Sequence, residues 1–175
     1  MAALRNVELE MITLGLVALG HASGYAVRRH LAGRPYQPFS AHSGATYRVL
    51  DRLEAEGWIA TMPEAGTRER TDYAITPNGH VRLAAWLESP PVPDGMPIHD
   101  GILIKIEIAA VLGESGQRQL LRRWQELARQ ELEAALLTPP TPRMGVDTMR
   151  VTALRARVEF FRRVQRELRT RATTV

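Results

Sequence analysis

The stretch over residues 43–59, S-G-A-T-Y-R-V-L-D-R-L-E-A-E-G-W-I, limits what this chain can fold into more than any other. Tyr47, Leu50 and Leu53 recur every three residues with Val49 beside them, which predicts a helix with one core-facing side, while Thr46, Arg48, Asp51 and Arg52 project elsewhere. Gly57 supplies the left-handed residue that stops a helix, and Trp58 and Ile59 open an apolar extended run. A helix with a polar reading face, a glycine stop and a strand therefore follow one another without a linker.

The flanking sequence completes a recognisable order. Residues 7–19 read as a mostly buried first helix, with Glu8 and Glu10 near its N-terminus. Gly20 ends it, and Ser23 is a candidate N-cap for a short second helix over 24–31, whose Tyr25, Val27 and Leu31 face inward. Residues 33–42 hold two prolines and no periodicity, so they form a loop, with Ser43 placed to cap the third helix. Beyond Trp58, two strand-like runs flank a polar segment containing Pro63 and Gly66, which predicts a β-hairpin whose tip carries Arg68 and Arg70. Thr76 then caps a fourth helix over 77–87, with Pro77 at its first position and Val81, Leu83, Ala84 and Leu87 on its inner face. Two short helices, a third with a polar face and a hairpin make a winged helix-turn-helix. Its third helix enters a major groove in such folds, and its wing reaches phosphate or minor groove.

Four prolines and a glycine in residues 89–97 divide the protein. The expected organisation is a winged-helix domain over 1–90, a linker over 91–97 and a helical domain over 98–175. In the latter, 102–112 is an apolar helix ended by Gly113. Residues 117–137 place Leu121, Trp124, Ala128, Leu132 and Ala135 at alternating spacings of three and four, and 148–171 repeat this with Val151, Leu154, Val158, Phe161, Gln165 and Leu168. Each is a heptad seam, as in helices packed antiparallel or between subunits. Leu121, Trp124, Leu154, Val158, Phe161 and Leu168 are the candidate dimer interface, and Glu126, Glu131 and Glu133 are available to pair with the arginines of the last helix there. Trp124 and Phe161 alternatively form an aromatic wall for a small effector. The fold class is mainly α with a small β-hairpin, a winged helix-turn-helix plus a helical dimerisation domain.

Composition narrows the chemistry. The chain has no cysteine, which excludes disulfides and thiolate sites. The histidines His21, His30, His42, His80 and His99 show no metal spacing, and no phosphate loop or nucleophile elbow occurs, so neither an enzyme nor a metal or cofactor is expected. Apolar runs are too short to span a bilayer and no signal peptide is indicated, which predicts a cytoplasmic protein. The formal charge is +4, yet residues 1–90 contain nine arginines and nine acids. Overall basicity is weak support for nucleic-acid binding.

The segments G-H-A-S-G-Y-A-V-R-R-H-L (residues 20–31), S-G-A-T-Y-R-V-L-D-R-L-E-A-E-G-W-I (43–59) and R-T-D-Y-A-I-T-P-N-G (70–79) resemble the PadR family of bacterial transcriptional regulators. The resemblance implies a winged-helix DNA-binding domain joined to a helical dimerisation domain, in a protein that usually represses a nearby promoter. The length beyond Pro90 is similar to members with the longer, multi-helix C-terminal domain. Arg48 departs from the pattern, since the family often has proline after that tyrosine.

Candidate DNA contacts are Ser43 and Thr46, where a helix start suits a phosphate; Tyr47, Arg48 and Arg52 along the reading helix; Arg68 and Arg70 in the wing; and His42 just before the helix. The structural alternatives are capping for Ser43, a core position for Tyr47, pairing of Arg48 with Asp51 or Glu54, and pairing of Arg52 with Glu56. Arg28 and Arg29 either touch backbone phosphate or form a solvated face. The expected partners are double-stranded DNA with a pseudo-palindromic operator, a second copy of the chain and, where the repressor is controlled, a small-molecule effector. The competing readings are a winged-helix protein-interaction module and a ligand sensor without direct DNA binding.

Overall fold

The computed structural model describes residues 2–32, 43–62, 71–89, 100–138 and 146–173, divided into two units, Met1–Ser89 and Pro90–Val175. His42, Arg68, Arg70, the side chain of Ser43 and the expected linker lie outside the described residues.

The first unit is built around α1 (Ala2–Ala18). Met11, Ile12, Leu14, Leu16 and Val17 are all buried, as is Thr13. A helix apolar all round is one enclosed by its neighbours, and α1 packs against α2 (Gly24–Ala32), α3 (Ser43–Ala55), α4 (Pro77–Glu88) and the hairpin. Each fully buried aliphatic side chain contributes roughly 1.5–3 kcal/mol. The helix begins earlier than the sequence pattern predicts. Ala2, Ala3, Leu4 and Arg5 are strong helix formers and extend it, so Glu8 and Glu10 fall beyond its first turn.

Both α1 and α3 end on the same device. Gly20, at φ +93°, and Gly57, at φ +70°, occupy the left-handed region. His21 N donates to Leu16 O and Gly20 N to Val17 O, while Trp58 N donates to Leu53 O and Gly57 N to Glu54 O, all at 2.9–3.0 Å. These paired bonds satisfy carbonyls that a helix end leaves open.

Strands β1 (Ile59–Thr61) and β2 (Tyr73–Ile75) pair antiparallel, Ile59 opposite Ile75 and Thr61 opposite Tyr73. The turn after α1 adds an edge, since Ser23 bridges Asp72 and Tyr73 N donates to Ala22 O at 2.6 Å. The T-P-N-G segment fastens α4 to the hairpin stem. Thr76 Oγ1 accepts from Gly79 N at 3.1 Å as N-cap and donates to Gly57 O at 2.7 Å. A Cβ on Gly79 would lie 2.1 Å from Trp58 O, so only glycine allows this approach.

On α4 the inner stripe is Gly79, Leu83 and Leu87, and Val81 is 72% exposed, against expectation. At the helical repeat Val81 lies roughly 200° from both Gly79 and Leu83, which puts it on the outer side.

In the second unit, α5 (Asp100–Ile108) tightens into one 3-10 turn, Ala109–Leu112, and α6 (Gly113–Leu137) begins at Gly113, at φ +68°, earlier than the sequence suggests. α6 packs antiparallel on α7 (Val146–Thr173). Leu120, Leu121, Trp124 and Ala128 meet Leu154, Val158 and Phe161 in one core, with the Trp124 and Phe161 rings 6.0 Å apart. Gln165 Nε2 donates to Leu121 O at 3.1 Å and Gln125 Oε1 at 2.9 Å, and Arg157 pairs with Glu131 at 2.9 Å, fixing the register.

Candidate nucleic-acid interface

Helix α3 presents an inner face of Thr46, Val49, Leu50 and Leu53, all buried. Thr46 and Tyr47 exchange the sides expected of them, Thr46 being 4% exposed and Tyr47 47%. The spacing 46, 49, 50, 53 is the i, i+3, i+4, i+7 stripe of a helix, and Tyr47 sits beside it. Its ring lies across Gly24 of α2, where an added Cβ would fall 2.6 Å from Tyr47 Cε1. The bare glycine backbone thus seats one edge of the ring and leaves the rest in solvent.

Two arginines on this helix differ sharply. Arg52 forms an ion pair with Glu10 of α1, not with Glu56, and ties α3 to α1. Arg48 is exposed and has no carboxylate partner among the described residues.

The C-terminal half of α3 is acidic. Glu54 accepts from Thr61 N at 3.2 Å and from the Thr61 hydroxyl, binding α3 to β1. Burial raises the pKa of the Tyr73 phenol above its ordinary value, and the nearby charges of Glu54 and Asp51, with Tyr47, add to the rise. This end of α3 disfavours an anion, whereas the N-terminal half carries no acid and exposes Tyr47 and Arg48.

Helix α2 adjoins that half. Its N-cap is Ser23, whose Oγ accepts from Ala26 N at 3.3 Å. Tyr25, expected inside, is 54% exposed, and the Arg28 guanidinium lies 5.7 Å from its ring centroid. The i, i+3 spacing of Tyr25 and Arg28 was the available signal for this contact. The pairing of Arg52 with Glu10, across 42 positions, left none.

In the helical unit, Leu121, Trp124 and Phe161 are 1% exposed or less within a single chain, Leu154 and Val158 are buried, and Leu168 is half-buried. This is the antiparallel alternative of the two that the heptads leave open. Among the glutamates expected to serve the arginines of α7, Glu131 pairs with Arg157, whereas Glu126 and Glu133 pair with Arg129 on their own helix. No helix among the described residues is long and apolar enough to cross a membrane, and none of their acidic and histidine side chains gather into a metal-binding group of three.

Residues 13–85 match the model of the transcriptional regulator PadR-like family. No curated protein matches the chain significantly. Among solved structures, PadR from Bacillus subtilis in complex with operator DNA is 21% identical, with 91% of this chain and 98% of that one covered and a TM-score of 0.42. The same protein in complex with p-coumaric acid is 20% identical over 92% and 98%, with a TM-score of 0.41. The PadR-like transcriptional regulator BC1756 from Bacillus cereus is 17% identical over 93% and 99%, with a TM-score of 0.39.

Proposed function

With residues 13–85 forming a PadR-like transcriptional-regulator domain, we propose that the chain is a homodimeric repressor that binds a pseudo-palindromic duplex through α3. The observation that carries this reading is the exposed pair Tyr47 and Arg48 on the N-terminal half of α3, with Arg48 free of any carboxylate among the described residues. In this reading Tyr47 and Arg48 meet the major groove, Ser43 and His42 approach phosphate at the helix start, and Arg68 and Arg70 of the wing reach flanking phosphate or minor groove. Thr46 sets the helix rather than reading DNA, and Arg52 positions it through Glu10. The helical unit joins two copies so that their reading helices lie about one DNA turn apart. A small-molecule effector that favoured another spacing would lower affinity for the fixed site.

The test is fluorescence anisotropy of the protein with the duplex upstream of its own gene, against a scrambled competitor at two salt concentrations. Competitor-resistant binding that weakens steeply with salt supports the reading. One observation favours a protein-interaction module instead, namely the equal numbers of arginines and acids in residues 1–90. Absence of duplex binding even at low salt would decide for that module. Sedimentation velocity checks the dimer independently, and a monomer at micromolar concentration would refute it.

A further inference from the structure

The charge balance of residues 1–90 conceals a separation. Residues 11–50 contain no aspartate or glutamate and four arginines, Arg28, Arg29, Arg34 and Arg48, whereas residues 51–90 contain seven acids and four arginines. The acid-free stretch includes all of α2 and the N-terminal half of α3. On α2, Tyr25, Arg28, Arg29 and Ala32 follow the one-face spacing of a helix and line a surface cavity of about 340 Å³. Tyr25 is exposed and flat, Arg28 stands over it at 5.7 Å, and neither Arg28 nor Arg29 has a carboxylate partner among the described residues. Gly24 immediately precedes Tyr25 and seats the Tyr47 ring, so this face is continuous with the reading face of α3.

We infer that Tyr25, Arg28 and Arg29 form a second contact, to the phosphate backbone of the duplex. The contact rests on the DNA-binding reading above and extends it from one helix to two. The ring holds the Arg28 guanidinium against one side, which reduces the freedom it loses when a phosphate arrives, and the fork geometry of arginine suits phosphate oxygens. Phosphates are the same in every sequence. The contact therefore adds affinity and salt dependence while leaving the choice of operator to α3.

The experiment uses the full chain and a random-sequence 30-base-pair duplex, with affinity measured by anisotropy from 50 to 300 mM salt. Removing one arginine from a phosphate lowers the slope of log affinity against log salt by about 0.9. Arg28→Ala with Arg29→Ala is expected to lower it by about 2 and to weaken binding roughly ten-fold at 0.1 M salt, with the wild-type melting temperature kept. Arg82→Ala, which removes an arginine lying over Trp58 on α4, is the control and leaves the slope unchanged. Should the alanine pair fail to fold, Arg28→Gln with Arg29→Gln keeps the side-chain stems and removes the charges. An unchanged slope in the double variant overturns the inference, and so does an equal fall in Arg82→Ala, which would mean a general effect of charge. A double variant that loses its preference for the upstream duplex also overturns it, by making these residues base readers. Failure of the wild-type chain to bind either duplex instead defeats the DNA-binding reading itself.

Discussion

The arginines of the two units differ in how they are partnered. In the helical unit, Arg118, Arg129, Arg157, Arg162, Arg163 and Arg166 each meet a carboxylate, five of the six on their own helix. In the winged-helix unit, Arg52 meets Glu10, Arg28 and Arg82 lie over aromatic rings, and Arg29 and Arg48 have no carboxylate partner among the described residues. A paired cation has little field beyond its partner, while an unpaired one keeps its reach to about a Debye length. The unit that carries the excess formal charge therefore holds most of the ion-paired arginines, although its exposed Arg122, Arg150 and Arg155 meet no carboxylate among the described residues. Counting charges ranks whole units, whereas finding partners separates individual arginines within each of them.

The contrast between paired and unpaired arginines stands or falls first at Arg48. Arg48→Ala is expected to weaken binding to the duplex upstream of the gene ten- to hundred-fold, or about 1.4–2.8 kcal/mol. The melting temperature should be unchanged, as expected for an exposed residue with no carboxylate partner among the described residues. Equal losses of affinity and stability would show that Arg48 is structural after all. Arg157 tests the opposite case. It is 7% exposed, bonded to Glu131, and has a buried Nε with no partner. Arg157→Ala is expected to cost about 1–2 kcal/mol of the helical unit's stability in urea, because the packing of its stem and one charged hydrogen bond both disappear. Arg157→Met should recover most of that loss, because it refills the volume and removes the unsatisfied donor. A methionine variant as unstable as the alanine one would mean that the ion pair, rather than packing, holds α7 on α6.

What sequence pattern conveyed about these sites follows from the range of the interactions. The α3 helix, its Gly57 stop and the Thr76 cap rest on neighbours within five positions, and all were legible. The sides taken by Thr46 and Tyr47 were not, because hydropathy ranks a tyrosine above a threonine and cannot see that Gly24 leaves a shelf for a ring edge. Tyr25 misleads similarly, since a ring serving as a platform for Arg28 looks in the sequence like a core residue. The heptads on α6 and α7 identified apolar seams. They could not say whether the partner seam belongs to the same chain, because α6 and α7 carry mutually complementary seams. The Glu10 to Arg52 pair spans two helices and had no local signature.

That pair gives the next smaller effect. Glu10 is 12% exposed on its side chain and Arg52 54%, so Arg52→Ala leaves a mostly covered carboxylate without its cation. The expected cost is about 1 kcal/mol of stability in the winged-helix unit, with a loss of duplex affinity several times smaller than that of Arg48→Ala. Glu10→Gln should reproduce the stability loss while leaving Arg52 in place. If Glu10→Gln instead tightened duplex binding, Arg52 would be a DNA contact held in check by Glu10, and the distinction between paired and unpaired arginines would weaken at this position.

The smallest effect lies on α7. Arg163 and Glu167 are 75% and 59% exposed, their atoms 3.4 Å apart, and the arginine precedes the glutamate by four positions. That order opposes the helix dipole, and water screens the pair on every side. Arg163→Ala should change stability by less than about 0.5 kcal/mol, because alanine's helix propensity offsets the missing attraction. Random-duplex affinity should not change either. The second expectation is the more informative, since Arg163 is among the most exposed cations of the more basic unit. If its removal lowered the salt slope of duplex binding as Arg28 and Arg29 are expected to, a carboxylate four residues away would not be enough to withhold an arginine from DNA, and the partner rule would have to be replaced by one based on exposure.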